Sequence, residues 1–483
     1  MNEPSPTRVD TLDSKSAPVP LGQSFWLLST LIWSGAWLTL AFLFSLLASI
    51  KFHGPGFLAD TPWLTYGRLR PAHIHCLGYG FCLQAGLALT AWIFGRLGNV
   101  SLAQPLLARI ATGTFNLGVA LGVLGILKGD ATGYEFFEAP RYAALIMFAG
   151  YLLLGLVIAV AFHRRSEPGL YVSQWFLLAA LFWFPWIFSS AALLLLIFPG
   201  RGMAQSVIAW WYAENFQSVW MWLVGIAGIF YFVPKLTNRP LHSRHLTLFT
   251  FWSLLLFASW GGIPASAPVP SWLPSLSAAA TMLSGLVILT FLLNLHHTLA
   301  GNYRQLWGDA TLRFMAVGTA AFVVVAVAKI ISALSPVAAV VDFTWFRYAL
   351  GQLNGFGFLS MVLLGGAYYA TARLPGFSIS RTLAGAHFWL AFLGIVFAFL
   401  PLLFGGIIQG LKLQDPQVPF LNVANLTLHF LRLSTVGELL LLAGNALFLV
   451  NLAGALLRRA RQQFALFRQE ATRDLFAAAE AQR

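Results

Sequence analysis

Long apolar runs separated by short polar segments extend through most of the chain. A run of about 20 residues is long enough to cross the hydrocarbon core of a bilayer as a helix. Such runs occur near residues 23–50, 73–95, 105–127, 142–162, 169–198, 207–234, 245–263, 273–299, 312–335, 345–371, 382–410 and 429–457. The pattern therefore predicts an all-α integral membrane protein with twelve transmembrane helices.

The composition supports this class and excludes several others. Hydrophobic residues make up 58% of the chain, charged residues make up 9%, and the mean hydropathy is +0.75. These values exclude a water-soluble domain. The net charge of +13 is explained by basic loops rather than by a nucleic-acid surface. The sequence contains no Gly-rich phosphate loop and no Ser/His/Asp triad, so nucleotide-driven chemistry is not expected.

Basic residues are distributed unequally between the two sets of loops. Loops after even-numbered spans contain eleven lysines and arginines, and loops after odd-numbered spans contain seven. Arg458, Arg459 and Arg461 follow the last span. By the positive-inside rule, both termini are predicted to lie in the cytoplasm, with the chain in a bacterial inner membrane.

The predicted domain organisation has three parts. Residues 1–22 form a polar cytoplasmic segment, residues 23–457 the twelve-helix domain, and residues 458–483 a basic amphipathic cytoplasmic tail. The first segment lacks the order of a cleaved signal peptide, so the first span is expected to remain as an anchor. The tail alternates apolar and basic residues, which predicts either a helix on the cytoplasmic leaflet or a frayed end.

His73 lies at the start of the second predicted span, beside Arg68 and Arg70. A histidine entering a membrane next to two arginines suggests a haem axial ligand with cations for the haem propionates. The alternative is a histidine that is hydrogen-bonded in a polar pocket at a helix start. Cys76 and Cys82 are too few for a zinc or iron–sulfur site and are expected to be buried thiols.

Polar and ionisable side chains inside membrane spans are costly, so they are the first candidates for function. They are Glu214, Lys329, Arg347, Gln352, Asn354, His387 and Glu438. Other histidines are less informative. On a helix His75 points about 200° away from His73, and the neighbours His296 and His297 diverge by about 100°. Neither pair is expected to bind one metal.

Six ordered motifs are spread along the chain. They are GRLRPAH at 67–73, WWYAEN at 210–215, YFVPK at 231–235 followed by NRP at 238–240, GAYY at 366–369, HFW at 387–389 with GIIQG at 406–410, and Arg432. In these motifs the chain resembles the catalytic subunit, subunit I, of the haem–copper oxidase superfamily. It is most similar to the C family, the cbb-type cytochrome c oxidases related to nitric oxide reductases. The resemblance covers nearly the whole chain and implies a subunit I-like bundle.

The resemblance implies two haems and one copper held by six histidines, and this chain departs from that set. His73 matches the low-spin haem ligand, with Arg68 and Arg70 as propionate contacts. The position of the copper-binding histidine in the sixth helix is Glu214, and residues 260–266 lack the histidine pair of the seventh helix. Copper is therefore not expected. Glu214 is instead expected to pair with Lys329, directly or through water, in the volume that the metals occupy in the family.

The tenth helix of the family has a His-x-His motif, with one imidazole facing each haem. Alignment without gaps from residues 368–369 places Leu350 and Gln352 at these positions, and a shift by two places Gln352 and Asn354 there. Neither register supplies a histidine. The resemblance therefore implies at most one b-type haem, on His73. His387 matches a family histidine that does not bind metal.

The resemblance implies a membrane subunit of a respiratory electron-transfer complex, in hetero-oligomers with a membrane-anchored cytochrome c-type partner. Such a subunit is either non-catalytic or a single-haem electron carrier. The alternative is an active terminal oxidase or nitric oxide reductase with an atypical site. That chemistry needs an open-coordinated haem iron facing a second metal. A transporter is a third possibility, although the sequence contains no internal repeat or pair of short broken helices.

Overall fold

The structure, a computed structural model, describes residues 20–101 and 104–481. Within these residues the chain is helical and contains no strand, which confirms the predicted all-α class. The main helices are α1 (Leu21–Lys51), α2 (Tyr66–Gly98), α3 (Pro105–Lys128), α4 (Arg141–His163), α5 (Val172–Ile197), α6 (Met203–Thr237), α7 (Arg244–Phe257), α8 (Trp272–Leu299), α9 (Ala310–Ser332), α10 (Trp345–Thr371), α11 (Arg381–Leu413) and α12 (Phe420–Ala481). A short helix, Ser335–Val341, precedes α10.

Among the described residues, eleven of these helices are long and apolar enough to cross a membrane, so the chain is a multi-pass membrane protein. Helix α7 is the exception. It has 14 residues, which corresponds to about 21 Å. A 3-10 turn, Ala258–Trp260, follows it, and Gly262 has a φ of +97°. The predicted seventh span, 245–263, was therefore too long, because Gly261, Gly262 and Pro264 end the helical path early.

The two predicted terminal segments have different outcomes. Residues 1–19 lie outside the described part of the chain. At the other end, α12 continues without a break through the predicted tail to Ala481 and has 62 residues in all. Residues 458–481 contain no Gly or Pro and are rich in strong helix formers, so nothing in the sequence ends the helix. The location of this segment at the cytoplasmic leaflet stays a prediction.

Helices α2, α6 and α10 form the centre of the bundle and are almost wholly enclosed by the others. Each contains a wider, π-helical segment, at Cys76–Leu83, Asn215–Trp220 and Leu353–Ser360. These segments directly follow His75, Glu214 and Gln352. Such segments are rare and frequently lie at functional sites. The positions singled out from the sequence are therefore in the centre of the fold.

Close contact between α3 and α4 depends on small residues. A Cβ at Gly118 would collide with the backbone nitrogen of Met147, and a Cβ at Gly150 would collide with that of Phe115. Glycine at both positions lets the two backbones touch, which is how many membrane helices pack in the absence of a hydrophobic driving force.

Candidate functional site

A cavity of about 590 Å³ opens at one end of the bundle. Residues from α2, α6, α8, α9, α10 and α11 line it, together with residues of the segments between 129 and 140, between 261 and 271, and between 333 and 344. We call this end the outer end, after its predicted orientation, and the cavity the outer cavity. Three ion pairs line it, namely Arg70–Glu135, Glu214–Lys329 and Arg347–Asp342. The cavity is therefore highly charged, yet its lining contains equal numbers of basic and acidic residues.

Glu214 and Lys329 form the most enclosed of these pairs. Their side chains are 12% and 14% exposed, and Lys329 Nζ lies 2.7 Å and 2.8 Å from the two carboxylate oxygens of Glu214. The ammonium also donates to Ser218 Oγ. Since an ammonium has three N–H groups, all its donors are used. The structure thus brings together two residues that the sequence places 115 positions apart.

The early end of α7 gives Glu214 its space. The Glu214 side chain packs directly on Gly262, where a Cβ would overlap the Glu214 Cβ. Gly262 also has positive φ, a conformation that side chains other than glycine rarely adopt. Gly261 and Gly262, which lie where the helical path of α7 ends, therefore also pack against the acidic side chain of the ion pair.

Sequence reasoning missed the other two ion pairs of the outer cavity. Arg347 donates from Nε and Nη2 to Asp342 Oδ1, at 2.8 Å and 2.7 Å. Arg70 Nη2 lies 3.7 Å from a carboxylate oxygen of Glu135. Both acidic partners lie in loops, whereas the charges that the sequence singles out lie in predicted spans. The spacing of Asp342 and Arg347 across a helix start was the available signal for one of the pairs.

His73 is 1% exposed and lies between α1 and α10. Its Nδ1 is 2.9 Å from the carbonyl oxygen of Ala41, and its Nε2 is 2.9 Å from Gln352 Oε1. Phe42 packs edge-to-face on the imidazole, with ring centroids 5.6 Å apart. Both ring nitrogens therefore have partners on neighbouring helices.

The three α10 residues that the two registers concern face different neighbours. Gln352 faces His73, whereas Leu350 lines the outer cavity. Asn354 accepts a hydrogen bond from Trp222 Nε1 at 2.9 Å and donates to the carbonyl oxygen of Gln217 at 3.0 Å. Gln352, which both registers place at a haem-ligand position of the family, is therefore the α10 residue opposite His73.

The two arginines before His73 point in different directions. Arg68 donates to the carbonyl oxygen of Leu127 at 3.0 Å, at the end of α3 and away from His73. Arg70 lies over the ring of Tyr348 at 5.0 Å and lines a small void of about 10 Å³ that also touches His73 and Glu438. Residues two apart on a helix diverge by about 200°, so only one of the two can face the same side as His73.

The other histidines and cysteines singled out from the sequence make local contacts. His75 packs against Gly122 of α3, and His387 Nδ1 is 2.9 Å from the hydroxyl of Tyr368. His296 contacts Tyr303, while the ring of its neighbour His297 stacks on His242. Cys76 and Cys82 are free and buried. In residues 20–101 and 104–481, no group of three or more His, Cys, Asp and Glu side chains could hold a metal ion.

A buried carboxyl group lies outside the spans and was also missed. Glu138, in the loop between α3 and α4, is 3% exposed and accepts a hydrogen bond from the backbone N–H of Phe136 at 2.8 Å. The hydroxyl of Tyr79 donates to the carbonyl oxygen of Phe136 and lies 2.7 Å from the hydroxyl of Tyr212. Burial raises the pKa of Glu138 to about 8. This loop is therefore folded into the outer end of the bundle.

Comparisons with known proteins agree with the fold. The chain is 24% identical over 477 residues to "Cytochrome c oxidase subunit 1 homolog" of Azorhizobium caulinodans, covering 93% of this chain and 84% of that protein. It is 26% identical over 368 residues to "Cbb3-type cytochrome c oxidase subunit CcoN1" of Stutzerimonas stutzeri, covering 73% and 76%. A heme-copper terminal oxidase dimer solved by cryo-EM has the same fold, with a TM-score of 0.67 at 15% identity over 90% of this chain and 84% of that chain.

The family assignment rests on a match along most of the bundle. The model of the family described as "Cytochrome C and Quinol oxidase polypeptide I" matches residues 26–440. This range begins in α1 and ends in α12, so it includes His73, Glu214, Lys329 and Gln352. The resemblance seen in the sequence motifs is confirmed, and the chain belongs to the cytochrome c and quinol oxidase polypeptide I family.

Proposed function

We propose that the chain is a membrane subunit of a respiratory electron-transfer complex that has lost the centre for oxygen or nitric oxide reduction. It assembles with other subunits, including a membrane-anchored cytochrome c-type protein, in a bacterial inner membrane with both termini cytoplasmic. Relatives named as cytochrome c oxidase subunits support the respiratory setting. The observation that carries the proposal is the ion pair between Glu214 and Lys329.

The residues around Glu214 do not fit a copper ion. In the family, copper takes three imidazoles, whereas here the sixth-helix position is a carboxylate and the neighbouring residues 260–266 contain no histidine. Lys329 holds both oxygens of Glu214 within 2.8 Å. A protonated amine has no lone pair for a metal, and its charge repels a cation from the same space. In place of a metal-binding group there is therefore an ion pair whose charges cancel and whose two side chains hydrogen-bond to each other.

The side chains of α10 do not fit a high-spin haem either. An iron-binding position needs a nitrogen, sulfur or oxygen donor. Leu350 lines the outer cavity from the position that the alignment without gaps assigns to one of the two haem ligands, and its side chain is a hydrocarbon. Without an axial ligand on this side and without copper opposite, the centre that reduces oxygen or nitric oxide in the family has no counterpart in these residues.

The alternative function is an active oxidase or reductase with an atypical site. The size of the outer cavity favours it, because 590 Å³ falls in the range of small-molecule binding sites. Against it stands the chemistry, since none of the lysine, arginine, carboxylate and amide groups around the cavity supplies a redox centre. The non-catalytic subunit therefore agrees better with the side chains that are present.

The test is to purify the chain with its native partners and to measure metals, spectra and turnover together. Copper and iron are quantified by mass spectrometry, and pyridine haemochrome spectra separate b-type from c-type haem. We expect no copper per chain and no oxygen or nitric oxide consumption above a detergent blank, with a cbb-type oxidase prepared in parallel as the positive control. Stoichiometric copper, or turnover that disappears in Glu214→Gln, would contradict the proposal.

A further inference from the structure

The contacts of His73 also bear on the low-spin haem, which the sequence left as an open possibility. The imidazole bridges three helices. Its Nδ1 reaches the backbone of α1 at Ala41, and its Nε2 reaches the side chain of Gln352 in α10, each at 2.9 Å. The residue that would bind iron is therefore already bonded on both sides.

The lone pair that iron would need is occupied in either orientation of the Gln352 amide. The Ala41 carbonyl can only accept, so Nδ1 carries a proton. If the amide N–H₂ of Gln352 faces Nε2, the Nε2 lone pair accepts that hydrogen bond. If the amide oxygen faces Nε2, then Nε2 must be protonated to donate to it. Nε2 has no free lone pair in either case.

The distance between the two side chains is also too short for a haem. A bond from a metal to an imidazole nitrogen is about 2 Å long, so two axial donors on one iron stand about 4 Å apart. Nε2 of His73 and Oε1 of Gln352 are 2.9 Å apart. A macrocycle would have to enter between them and separate α2 from α10.

The surroundings leave no slot for the macrocycle. Phe42 packs on His73 and on Phe356, with ring centroids 5.6 Å and 4.7 Å apart. The void beside His73 is about 10 Å³, which is room for roughly one water molecule. His73 does not line the outer cavity. Of these two spaces, His73 therefore borders only the small one.

We infer that His73 is a clamp between α1, α2 and α10 and not a haem ligand, and that the chain holds no haem. This deepens the proposed function, on which it rests, because it removes the single-haem electron carrier. Electrons that pass between partner subunits then do not pass through this chain. Its part in the complex is to hold those subunits in the membrane.

The experiment compares the wild-type chain with Gln352→His and His73→Ala, all expressed with sufficient haem and purified in detergent. We expect less than one b-type haem per ten wild-type chains. His73→Ala leaves the Gln352 amide and the Ala41 carbonyl without their partner, so its melting temperature falls by several degrees. His387→Ala, which removes another buried histidine, is the matched control for loss of a ring and has the same haem content as wild type.

Gln352→His tests the filled space directly, because it places an imidazole opposite His73 without changing the rest of the site. We expect this variant to take up haem no better than wild type, since the space between α2 and α10 is filled. One b-type haem per wild-type chain, lost in His73→Ala, would overturn the inference. That result would not contradict the proposed function, which predicts that the chain has no copper and no turnover. Conversely, oxygen consumption by a haem-free preparation would overturn the proposed function and not the clamp.

Discussion

Removal of one charge from the Glu214–Lys329 pair gives the most direct measure of how this site is stabilised. Lys329→Met keeps an unbranched chain of similar length but leaves Glu214 enclosed without its cation. Breaking a buried ion pair in this way costs about 3–5 kcal/mol. Because the two side chains are still 12% and 14% exposed to the outer cavity, we expect the lower limit, about 3 kcal/mol.

The double variant, Glu214→Gln with Lys329→Met, separates this charge effect from packing. A neutral pair in the same volume is often as stable as the ion pair it replaces, so we expect a total loss of about 1 kcal/mol or less. The difference between the double variant and the sum of the two single variants then gives the coupling energy. Since Lys329→Met alone costs about 3 kcal/mol and the double variant about 1 kcal/mol or less, we expect a coupling of at least about 2 kcal/mol.

The assay is denaturant-induced unfolding in detergent micelles, followed by the fluorescence of the 18 tryptophans. A coupling energy within about 0.5 kcal/mol of zero would show that the two residues act independently. Such a result would refute the view that a satisfied ion pair has taken the place of the metal site. It would also remove the main support for a subunit without catalysis.

Three further outcomes follow from the structure. Asp342→Asn breaks a pair whose arginine is 42% exposed, so we expect a loss of at most about 1 kcal/mol in the same unfolding assay. Burial raises the pKa of Glu138 from 4.5 to about 8. Between pH 4.5 and about pH 8 the folded state holds a proton that the unfolded state has released, so the free energy of unfolding falls as the pH rises through this window. Glu138→Gln should weaken the pH dependence of the melting temperature measured from pH 5 to pH 8. An unchanged pH dependence would contradict the raised pKa of Glu138. Gly118→Leu should prevent α3 from packing on α4 and abolish the folded, monodisperse protein seen by size exclusion, whereas Gly113→Leu, where an added Cβ meets nothing, should not.

Much of the fold could be predicted because length and hydrophobicity alone determine where a chain can cross a membrane. The one predicted span that was too long, 245–263, failed because Gly261 and Gly262 are apolar enough to extend a hydrophobic run and yet end a helix. Hydropathy cannot distinguish these two effects, whereas a glycine pair followed by Pro264 was a usable signal.

The candidate site was predictable where electrostatics constrains it and not where it depends on loops or on distant side chains. Two unlike charges in hydrocarbon must find each other, so Glu214 and Lys329 could be paired from the sequence. The same reasoning does not apply to Asp342, because a carboxylate in a loop has water as an alternative partner, and only its spacing from Arg347 indicated that pair. The contact between His73 and Gln352 joins residues 279 positions apart, and the sequence left two registers for α10 open.

The outer cavity has a consequence for the electric field across the membrane. A polar cavity open at the outer end carries the dielectric properties of water inward, so the membrane potential falls over a thinner layer beneath it. Moving one charge across 100 mV involves about 2.3 kcal/mol. The adjoining charges of Glu214 and Lys329 cancel, and the potential exerts little net force on them. An unpaired Glu214 would instead carry a net charge in this field, so the stability of the bundle would depend on the membrane potential.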